Sequence, residues 1–313
     1  MVKLILRRVA LSVPVVFIVT ALSFVLIDLL PGNAASAILG PSASAQQINQ
    51  LTQSLGLGRP IYTQYWQWLE RLAHGNLGVS LDNGQSVTSL LNPDLGVSIS
   101  LLAGALIGAV IVGGAAGIFS AARPGILSRL LDIGIIGGLA VPAFWLALIL
   151  VLVLSTDAHL LPALGYVSPS SSPAQWARFL VLPWIALGAT MATTVAKQTR
   201  DAMSDALSSP FVTSLRANGV PERRIIFKHA LRNASIPVVT VISVLFVAAL
   251  TTAVIVEQIF DLPGLGSTVM QATTNRDIPV IQGVALYLTL IVVVVNLLVD
   301  LAYGWLNPKV RTT

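Results

Sequence analysis

Residues 211–237 read FVTSLRANGVPERRIIFKHALRNASIP, a basic, helix-forming segment that lies between two long apolar runs. Its only acid is Glu222. Its basic residues are Arg216, Arg223, Arg224, Lys228 and Arg232. Gly219 suits the left-handed conformation that ends a helix, and Pro221 suits the first turn of the next helix. The segment therefore predicts two helices, joined at the glycine, in a polar loop between two membrane spans.

The rest of the chain is unusually apolar for a protein of 313 residues. Hydrophobic residues make up 55%, charged residues only 10%, and the mean hydropathy is +0.83. A membrane span needs about 20 mostly apolar residues, and in lipid such a run must be helical. The candidate spans are roughly residues 9–30, 97–119, 133–155, 179–198, 236–256 and 281–303. The sequence thus predicts an all-α integral membrane protein with six transmembrane helices.

These spans divide the chain into four parts. The predicted parts are 1–30, an N-terminal cytoplasmic end with span 1; 31–96, an external loop; 97–303, a core of spans 2–6 that includes the cytoplasmic loop 208–236; and 304–313, a cytoplasmic tail. Ala35-Ser36-Ala37 has the small-residue pattern of a signal-peptide cleavage site. The first apolar run is longer than a usual signal core and five more spans follow, which favours an uncleaved span.

Basic residues predict the orientation of the spans. With the N-terminus inside, 14 of the 18 Lys and Arg residues fall in inside segments. The four outside are Arg59, Arg71, Arg178 and Arg276. Because Lys and Arg are retained on the cytoplasmic side, both termini are predicted to be cytoplasmic. The net charge of +5 is explained by this topology, so nucleic acid is not an expected partner.

The external loop is long enough to fold. Ser44 and Gln47 have the spacing of a capping box, and Pro60 can open a second helix that ends before Gly75. The apolar face of this second helix comprises Ile61, Tyr65, Trp68, Leu69 and Leu72. Two interpretations stay open: the helix is a lid or docking surface for an external partner, or it rests on the bilayer.

Signatures of chemistry are missing from the sequence. It contains no P-loop, no His-Glu-x-x-His, no Gly-x-Ser-x-Gly and no cysteine. The histidines are scattered over different loops: His74, His159 and His229. We therefore expect no enzymatic activity, no metal site and no bound cofactor. The predicted span centres lack ionisable residues, and Asp28 and Asp300 lie near span ends, which argues against proton coupling.

Docking of a partner protein is the more specific of two interpretations of the opening segment. Ser209 is predicted to cap a helix that begins at Pro210 and runs to about Asn218. A helix of about nine residues is too short to be stable alone and must pack on something. Its predicted apolar patch comprises Phe211, Val212 and Leu215, with Arg216 beside it. The segment either docks a cytoplasmic protein or lies on anionic headgroups.

Several motifs together resemble the dipeptide/oligopeptide permease family, the membrane subunits of type I ABC importers. Residues 213–219, TSLRANG, align with that family's Glu-Ala-Ala-x-x-x-Gly coupling loop, in which the glycine matches and the Glu and both Ala do not. HALRNA, from His229, is usual in the peptide branch. The further similar stretches are LRRVALSVPVVFIVTALSFVLIDLLPGN, LGLGRPIYTQYWQWL, GNLGVSL, VPAFWLAL, QTRDAM, FDLPGLG and NLLVDLAYGWLNPKVR. The resemblance covers nearly the whole chain, with Asn33 in place of the family's acid.

The resemblance implies a set of partners and two sets of site residues. It implies a second homologous permease subunit in a heterodimer, two cytoplasmic ATPases that hold ATP and Mg²⁺, an external substrate-binding protein, and membrane lipid. The implied ATPase-coupling residues are Phe211, Val212, Thr213, Ser214, Leu215, Arg216, Ala217, Gly219 and His229. The candidate substrate-path residues are Thr190, Thr194, Ser243, Thr251 and Thr252. Serine and threonine also serve helix packing in membranes, so the second set has that alternative.

The resemblance further implies a permease for short peptides in a prokaryotic cell membrane. The same scaffold also serves nickel, glutathione, haem or oligosaccharide import, and these substrates remain alternatives. An ion-coupled carrier or channel that needs no ATPase is the alternative from a different class, since backbone sites for sodium need no carboxylate.

Overall fold

The computed structural model describes residues 2–29, 34–40, 43–56, 58–123 and 125–306. Its elements are α1 (Val2–Asp28), α2 (Ala34–Leu39), α3 (Ala45–Ser54), α4 (Ile61–Ala73), α5 (Val87–Ala122), α6 (Ile126–Ala140), α7 (Ala143–Leu150), the π-helical segment π1 (Val151–Asp157), α8 (Pro173–Ser208), α9 (Pro210–Ala217), α10 (Glu222–Arg224), the π-helical segment π2 (Ile225–Ala230), α11 (Leu231–Ile259), α12 (Leu265–Asn275) and α13 (Ile278–Leu306). Across these residues the only β pairing is an isolated bridge between Val79 and Ser86. The predicted all-α class is confirmed.

Within the described ranges, five helices are long and apolar enough to cross a membrane, and a bent pair makes a sixth crossing if it counts as one span. The five are Ile5–Ile27, Val87–Ala122, Pro173–Ser208, Glu222–Ile259 and Ile278–Leu306. Helices α5 and α8 have 36 residues each, which is about 54 Å at 1.5 Å per residue. They are longer than a hydrocarbon core of about 30 Å, so both helices extend beyond the predicted spans at 97–119 and 179–198.

The third apolar run differs from its prediction. A single span was expected over 133–155, but the chain forms Ser128–Ala140 and Ala143–Asp157, bent by 100° at the break between them. Val141 is extended, with φ −89° and ψ 115°, and Pro142 follows it. A proline disfavours helical geometry in the residue before it and cannot donate a backbone hydrogen bond, so the helix ends here.

The chain forms two compact units. The core unit comprises Ile99–Leu262 and the chain from Val294, and the outer unit comprises Val2–Ser98 and Pro263–Val293. The predicted four-part division of the chain stays a prediction. Asn33, which the family resemblance used, and Lys309 and Arg311, which the orientation used, lie outside the described residues, as do the side chains of Lys3, Asp28 and Ala37.

In the core unit, glycines bring α5 and α8 almost into backbone contact. A β-carbon on Gly113 would lie 2.3 Å from the carbonyl oxygen of Ala192, and one on Gly117 would lie 2.5 Å from that of Ala196. Glycines and alanines spaced four residues apart let two membrane helices approach closely and gain van der Waals contact. This contact fixes the position of α8, from which the opening segment emerges.

In the outer unit, α4 packs on α1. Phe24 of α1 makes edge contacts with the rings of Tyr65 and Trp68, at centroid distances of 5.1 and 5.6 Å. The predicted capping box between Ser44 and Gln47 is present in α3, and α4 begins directly after Pro60 as predicted. The predicted apolar face of α4 points inward.

The opposite side of α4 is exposed. Tyr62 is 74% exposed and Trp66 is 70% exposed. Two aromatic side chains at this spacing suit a membrane interface, and they also suit a protein contact. Both interpretations of the external helix therefore stay open.

Candidate functional site

The opening segment folds as a helical hairpin at the end of α8. Ser209 is extended, with φ −72° and ψ 151°, and Pro210 occupies the first position of α9, as predicted. The predicted side-chain cap was wrong, because the Ser209 hydroxyl donates backwards to the Ala206 carbonyl at 2.5 Å. A serine hydroxyl near a helix end can bond either to the following N–H groups or to a preceding carbonyl, and here it does the second.

Gly219 ends α9 in the left-handed conformation that the sequence predicted. Its φ is +75°. The Gly219 N–H donates to the Arg216 carbonyl at 3.0 Å, and the Val220 N–H donates to the Leu215 carbonyl at 3.1 Å. This pair of bonds is the Schellman arrangement, which reverses the chain direction and satisfies two carbonyls at the helix end.

An ion pair spans the turn at Gly219. Arg216 donates to the Glu222 carboxylate through Nε at 3.1 Å and through Nη2 at 2.6 Å. The hydrogen bond to Glu222 raises the pKa of the Arg216 guanidinium above its usual value. The two-bond geometry fixes direction as well as distance, so it holds α9 against the start of α10. Arg216 is therefore engaged within the hairpin.

The apolar residues of α9 divide between the interior and the surface. Val212 is fully buried within the chain, whereas Phe211 is 39% exposed and Leu215 is half-buried. The predicted patch of three residues is thus corrected, because so short a helix is stable only when one side chain anchors it. Thr213, Ser214 and Ala217 are exposed. A partner can touch the Phe211 side of α9 but not Val212.

A π-helical turn joins the hairpin to the fifth apolar run, and nothing in the sequence predicted it. The helix from Glu222 to Ile259 is continuous, but its stretch from Ile225 to Ala230 is π-helical. In this stretch Ile225 and Ala230 are buried, Phe227 is 58% exposed and His229 is half-buried. π-turns carry one extra residue and occur often at functional sites.

A small apolar core fixes the base of the hairpin to α8. Its buried members are Met203, Ala206, Ala230 and Ala234. Because these residues come from the end of α8, from π2 and from the start of α11, the hairpin is attached to the membrane helices on both sides.

A polar network that sequence reasoning missed joins the end of α5, the first half of α6 and the later part of α8. Arg200 donates to Asp132 at 2.9 Å, and Ser120 donates to the same carboxylate at 2.6 Å. Ser128 in turn donates to the Ser120 carbonyl at 2.9 Å. The available signal was topological: Asp132 directly precedes one apolar run and Arg200 closely follows another, at the same predicted side of the membrane.

Several of the candidate path residues make hydrogen bonds within or between helices. The Ser243 hydroxyl donates to Asn296 at 2.7 Å, which ties α11 to α13. Thr194 donates to the Thr190 carbonyl at 3.1 Å, and Thr252 donates to its own helix in the same way. Thr251 is exposed. These bonds fit the helix-packing alternative for several of the five residues.

A cavity of about 990 Å³ lies beside the hairpin, and none of the five path residues lines it. Its walls are mainly apolar side chains of α5 and of the helix from Glu222, such as Ile118, Ile226 and Val239. Arg123 and Arg223 also line it. Sequence reasoning did not indicate this cavity, because its walls come from residues more than a hundred positions apart.

Two carboxylates lie just outside the predicted apolar runs. Glu257, one residue beyond the predicted run at 236–256, is only 1% exposed. Asp94, ahead of the run at 97–119, accepts a hydrogen bond from Thr268. Both carboxylates lie outside the predicted runs, so the expectation that span centres lack ionisable residues stays a prediction. Asp300 is half-buried.

No three His, Asp or Glu side chains are grouped as metal ligands would be within the described ranges. The expectations of no metal and no cofactor stay predictions.

Comparison with known proteins covers both halves of the chain. Residues 113–312 match the family model of the binding-protein-dependent transport system inner membrane component. Residues 1–102 match the model of the N-terminal part of a binding-protein-dependent transport system membrane component.

Individual relatives match over full length. A protein of Brucella abortus (strain 2308), provisionally named a peptide transport system permease protein, is 37% identical over 315 residues. The glutathione transport system permease protein GsiC of Escherichia coli (strain K12) is 35% identical over 312 residues. Each alignment covers 99% of this chain and 99% of the relative.

Proposed function

The chain belongs to the family of binding-protein-dependent transport system inner membrane components, the membrane permeases of ABC importers, and from this premise we propose that it forms half of a path for short peptides. It is a multi-pass membrane subunit with the type I importer permease fold, and it is a transport subunit rather than an enzyme. Family membership implies ATPase and substrate-binding-protein partners.

The names of the relatives support the peptide substrate. One relative is named for peptide transport and another for glutathione, which is itself a tripeptide. Both substrates have a peptide backbone, which nickel, haem and oligosaccharide lack. Short peptides are therefore the substrate class that we propose, with glutathione within it.

The hairpin supports the proposed coupling to the ATPase. Its exposed Phe211 offers an apolar group to a partner, while Val212 anchors α9 inside the chain. The turn at Gly219 and the bonds between Arg216 and Glu222 connect α9 to the following helix. An ATPase that closes on α9 would then move the membrane helices to which the hairpin is attached.

The assembly in this proposal has cytoplasmic termini, a sister permease, surrounding lipid and two ATPases that hold ATP and Mg²⁺. The five path residues, Thr190, Thr194, Ser243, Thr251 and Thr252, remain candidates for the lining of the path. If they line it, tryptophan at each position should slow uptake while assembly survives.

The absence of a P-loop from the sequence is the observation that assigns ATP hydrolysis to separate subunits. The purified chain should neither hydrolyse ATP nor accumulate peptide, and both activities should appear when the sister permease, the ATPases and the loaded binding protein are added in liposomes. Accumulation by this chain alone under a proton or sodium gradient would instead identify an ion-coupled carrier and refute the proposal.

A further inference from the structure

A small polar pocket of about 260 Å³ lies in the outer unit, between α4, the end of α3 and the beginning of α13. Its polar lining includes Arg59, Arg71, Gln64, Gln67 and Gln282. No aspartate or glutamate lines it. The pocket therefore presents two positive charges without an acid of its own.

The two arginines are available to a ligand. Both are exposed, and neither makes an ion pair in the part of the chain that the structure describes. Arg59 is nevertheless held in place, because its Nη1 donates to Gln67 at 3.2 Å and its carbonyl accepts from Gln64 at 2.8 Å. A guanidinium has five N–H donors, so most of those on Arg59 remain for a further acceptor.

The floor of the pocket is fixed by a buried carboxylate. Asp277 is 3% exposed and accepts hydrogen bonds from the Ser80 hydroxyl, from the Leu81 N–H at 3.1 Å and from the Val280 N–H at 3.5 Å. Leu81 and Pro279 line the pocket, whereas Asp277 does not. The Asp277 oxygens already accept these hydrogen bonds, so this carboxylate does not pair with Arg59 or Arg71. The two arginines can therefore bind an acid from another molecule.

The charge distribution of the loop makes this pocket distinctive. Only four basic residues are predicted to lie outside, and two of them meet here. Small-molecule pockets usually measure about 300–1,000 Å³, so this one is suited to a single side chain rather than to a whole peptide. Paired arginines favour planar carboxylates, which they bind with two parallel hydrogen bonds.

We propose that this pocket receives an aspartate or glutamate side chain of the external binding protein when that protein docks on the permease. The inference rests on the proposed importer function and orientation, and charge complementarity carries it. Complementary charges steer association and fix the register of a complex. The two arginines would align the binding protein over the permease before substrate is released.

The test uses the complete importer in lipid nanodiscs with its substrate-loaded binding protein. The concentration of binding protein that half-maximally stimulates ATP hydrolysis is measured for the wild type and for Arg59→Gln/Arg71→Gln. Loss of two charge-assisted contacts should raise this concentration about tenfold or more and weaken its salt dependence. Unstimulated ATP hydrolysis should not change, and it reports that the variant is assembled.

Arg276→Gln is the matched control, because it removes one predicted external charge that does not line the pocket. It should leave the half-maximal concentration unchanged. If it raised that concentration as much as the double variant does, the proposal would be overturned, because any external positive charge would then serve equally well. An Asp or Glu→Arg change on the binding protein that restores docking to Arg71→Glu would support the proposal directly.

Three further outcomes separate the possible failures. No stimulation of the wild-type importer by the loaded binding protein would refute the importer function itself. Wild-type stimulation with an unchanged half-maximal concentration in the double variant would overturn this inference alone. The same unchanged value, together with a rise in wild-type melting temperature on adding succinate, would assign the pocket to a small free carboxylate.

Discussion

Replacing Gly219 by valine tests the hairpin at the position where only backbone conformation is at stake. The φ of Gly219 is +75°, and a β-carbon added there would meet nothing within 4 Å. The substitution therefore introduces no clash, and its cost is the left-handed geometry alone, about 1–2 kcal/mol for a side chain with a β-carbon. A cost of this size shifts the balance between the intact and the opened turn about 5- to 30-fold.

The fold should survive this change because the long apolar helices do not depend on the turn. We expect near-normal membrane insertion of Gly219→Val, but peptide uptake reduced severalfold per unit of membrane protein. The loss would come either from weaker ATPase binding or from ATP hydrolysis without transport. Both are measured by the amount of co-purified ATPase, by ATP turnover and by uptake in the same vesicles.

Two further variants serve as comparisons for Gly219→Val. Gly219→Asn should behave nearly like the wild type, because asparagine tolerates the left-handed region better than other residues. Leu215→Asp places a charge on the half-buried side of α9 and should mainly release the ATPase. Wild-type uptake and full ATPase retention in both Gly219→Val and Leu215→Asp would refute the reasoning and reduce the hairpin to a connecting loop.

Three other predictions follow from the spans. With both termini inside, Ser171→Cys should react with an impermeant thiol reagent in intact cells and Ser208→Cys should not; the reverse pattern would invert the topology. Gly113→Leu should lower the melting temperature of the assembled importer by an amount equivalent to about 1–3 kcal/mol, because its β-carbon overlaps a backbone oxygen. Gly114→Leu, whose β-carbon meets nothing within 4 Å, is its control, and equal effects would contradict the close crossing. Asp132→Asn removes the ion pair with α8 and should destabilise by about 1 kcal/mol, since that arginine is partly exposed; an unchanged melting temperature would show that the pair contributes nothing.

Features that depend on near neighbours in the sequence were predictable. The capping box needs only Ser44 and Gln47, three residues apart, and it forms as expected. The stop at Gly219 needs one residue that tolerates positive φ, and it also forms. The apolar runs were visible in composition, since lipid admits only helices for such segments.

Features that depend on distant residues were not predictable from local patterns. The bond between Asp132 and Arg200 requires that two helices be adjacent, which no local pattern specifies. The burial of Val212 depends on which side of α9 meets α8, and a short helix allows either. The π-turn from Ile225 to Ala230 has no residue signature, because its extra residue is stabilised by packing.

The break in the third crossing was a different kind of error. Pro142 is visible in the sequence, but the prediction of a span over 133–155 rested on apolar length alone. Prolines are tolerated inside membrane helices when neighbours satisfy the freed backbone groups. Here the helix ends instead, and Val141 becomes extended.

The break between α6 and α7, at Val141 and Pro142, determines which molecules can contact the backbone there. Up to four carbonyls at the end of α6 and the three N–H groups of Ala143, Phe144 and Trp145 have no partner within their own helices, because Pro142 itself has no N–H. Acyl chains offer neither donors nor acceptors, and each unpaired group in hydrocarbon costs several kcal/mol. Water or protein must therefore stand at the corner beside Val141 and Pro142, and lipid tails are excluded from that side of the third crossing.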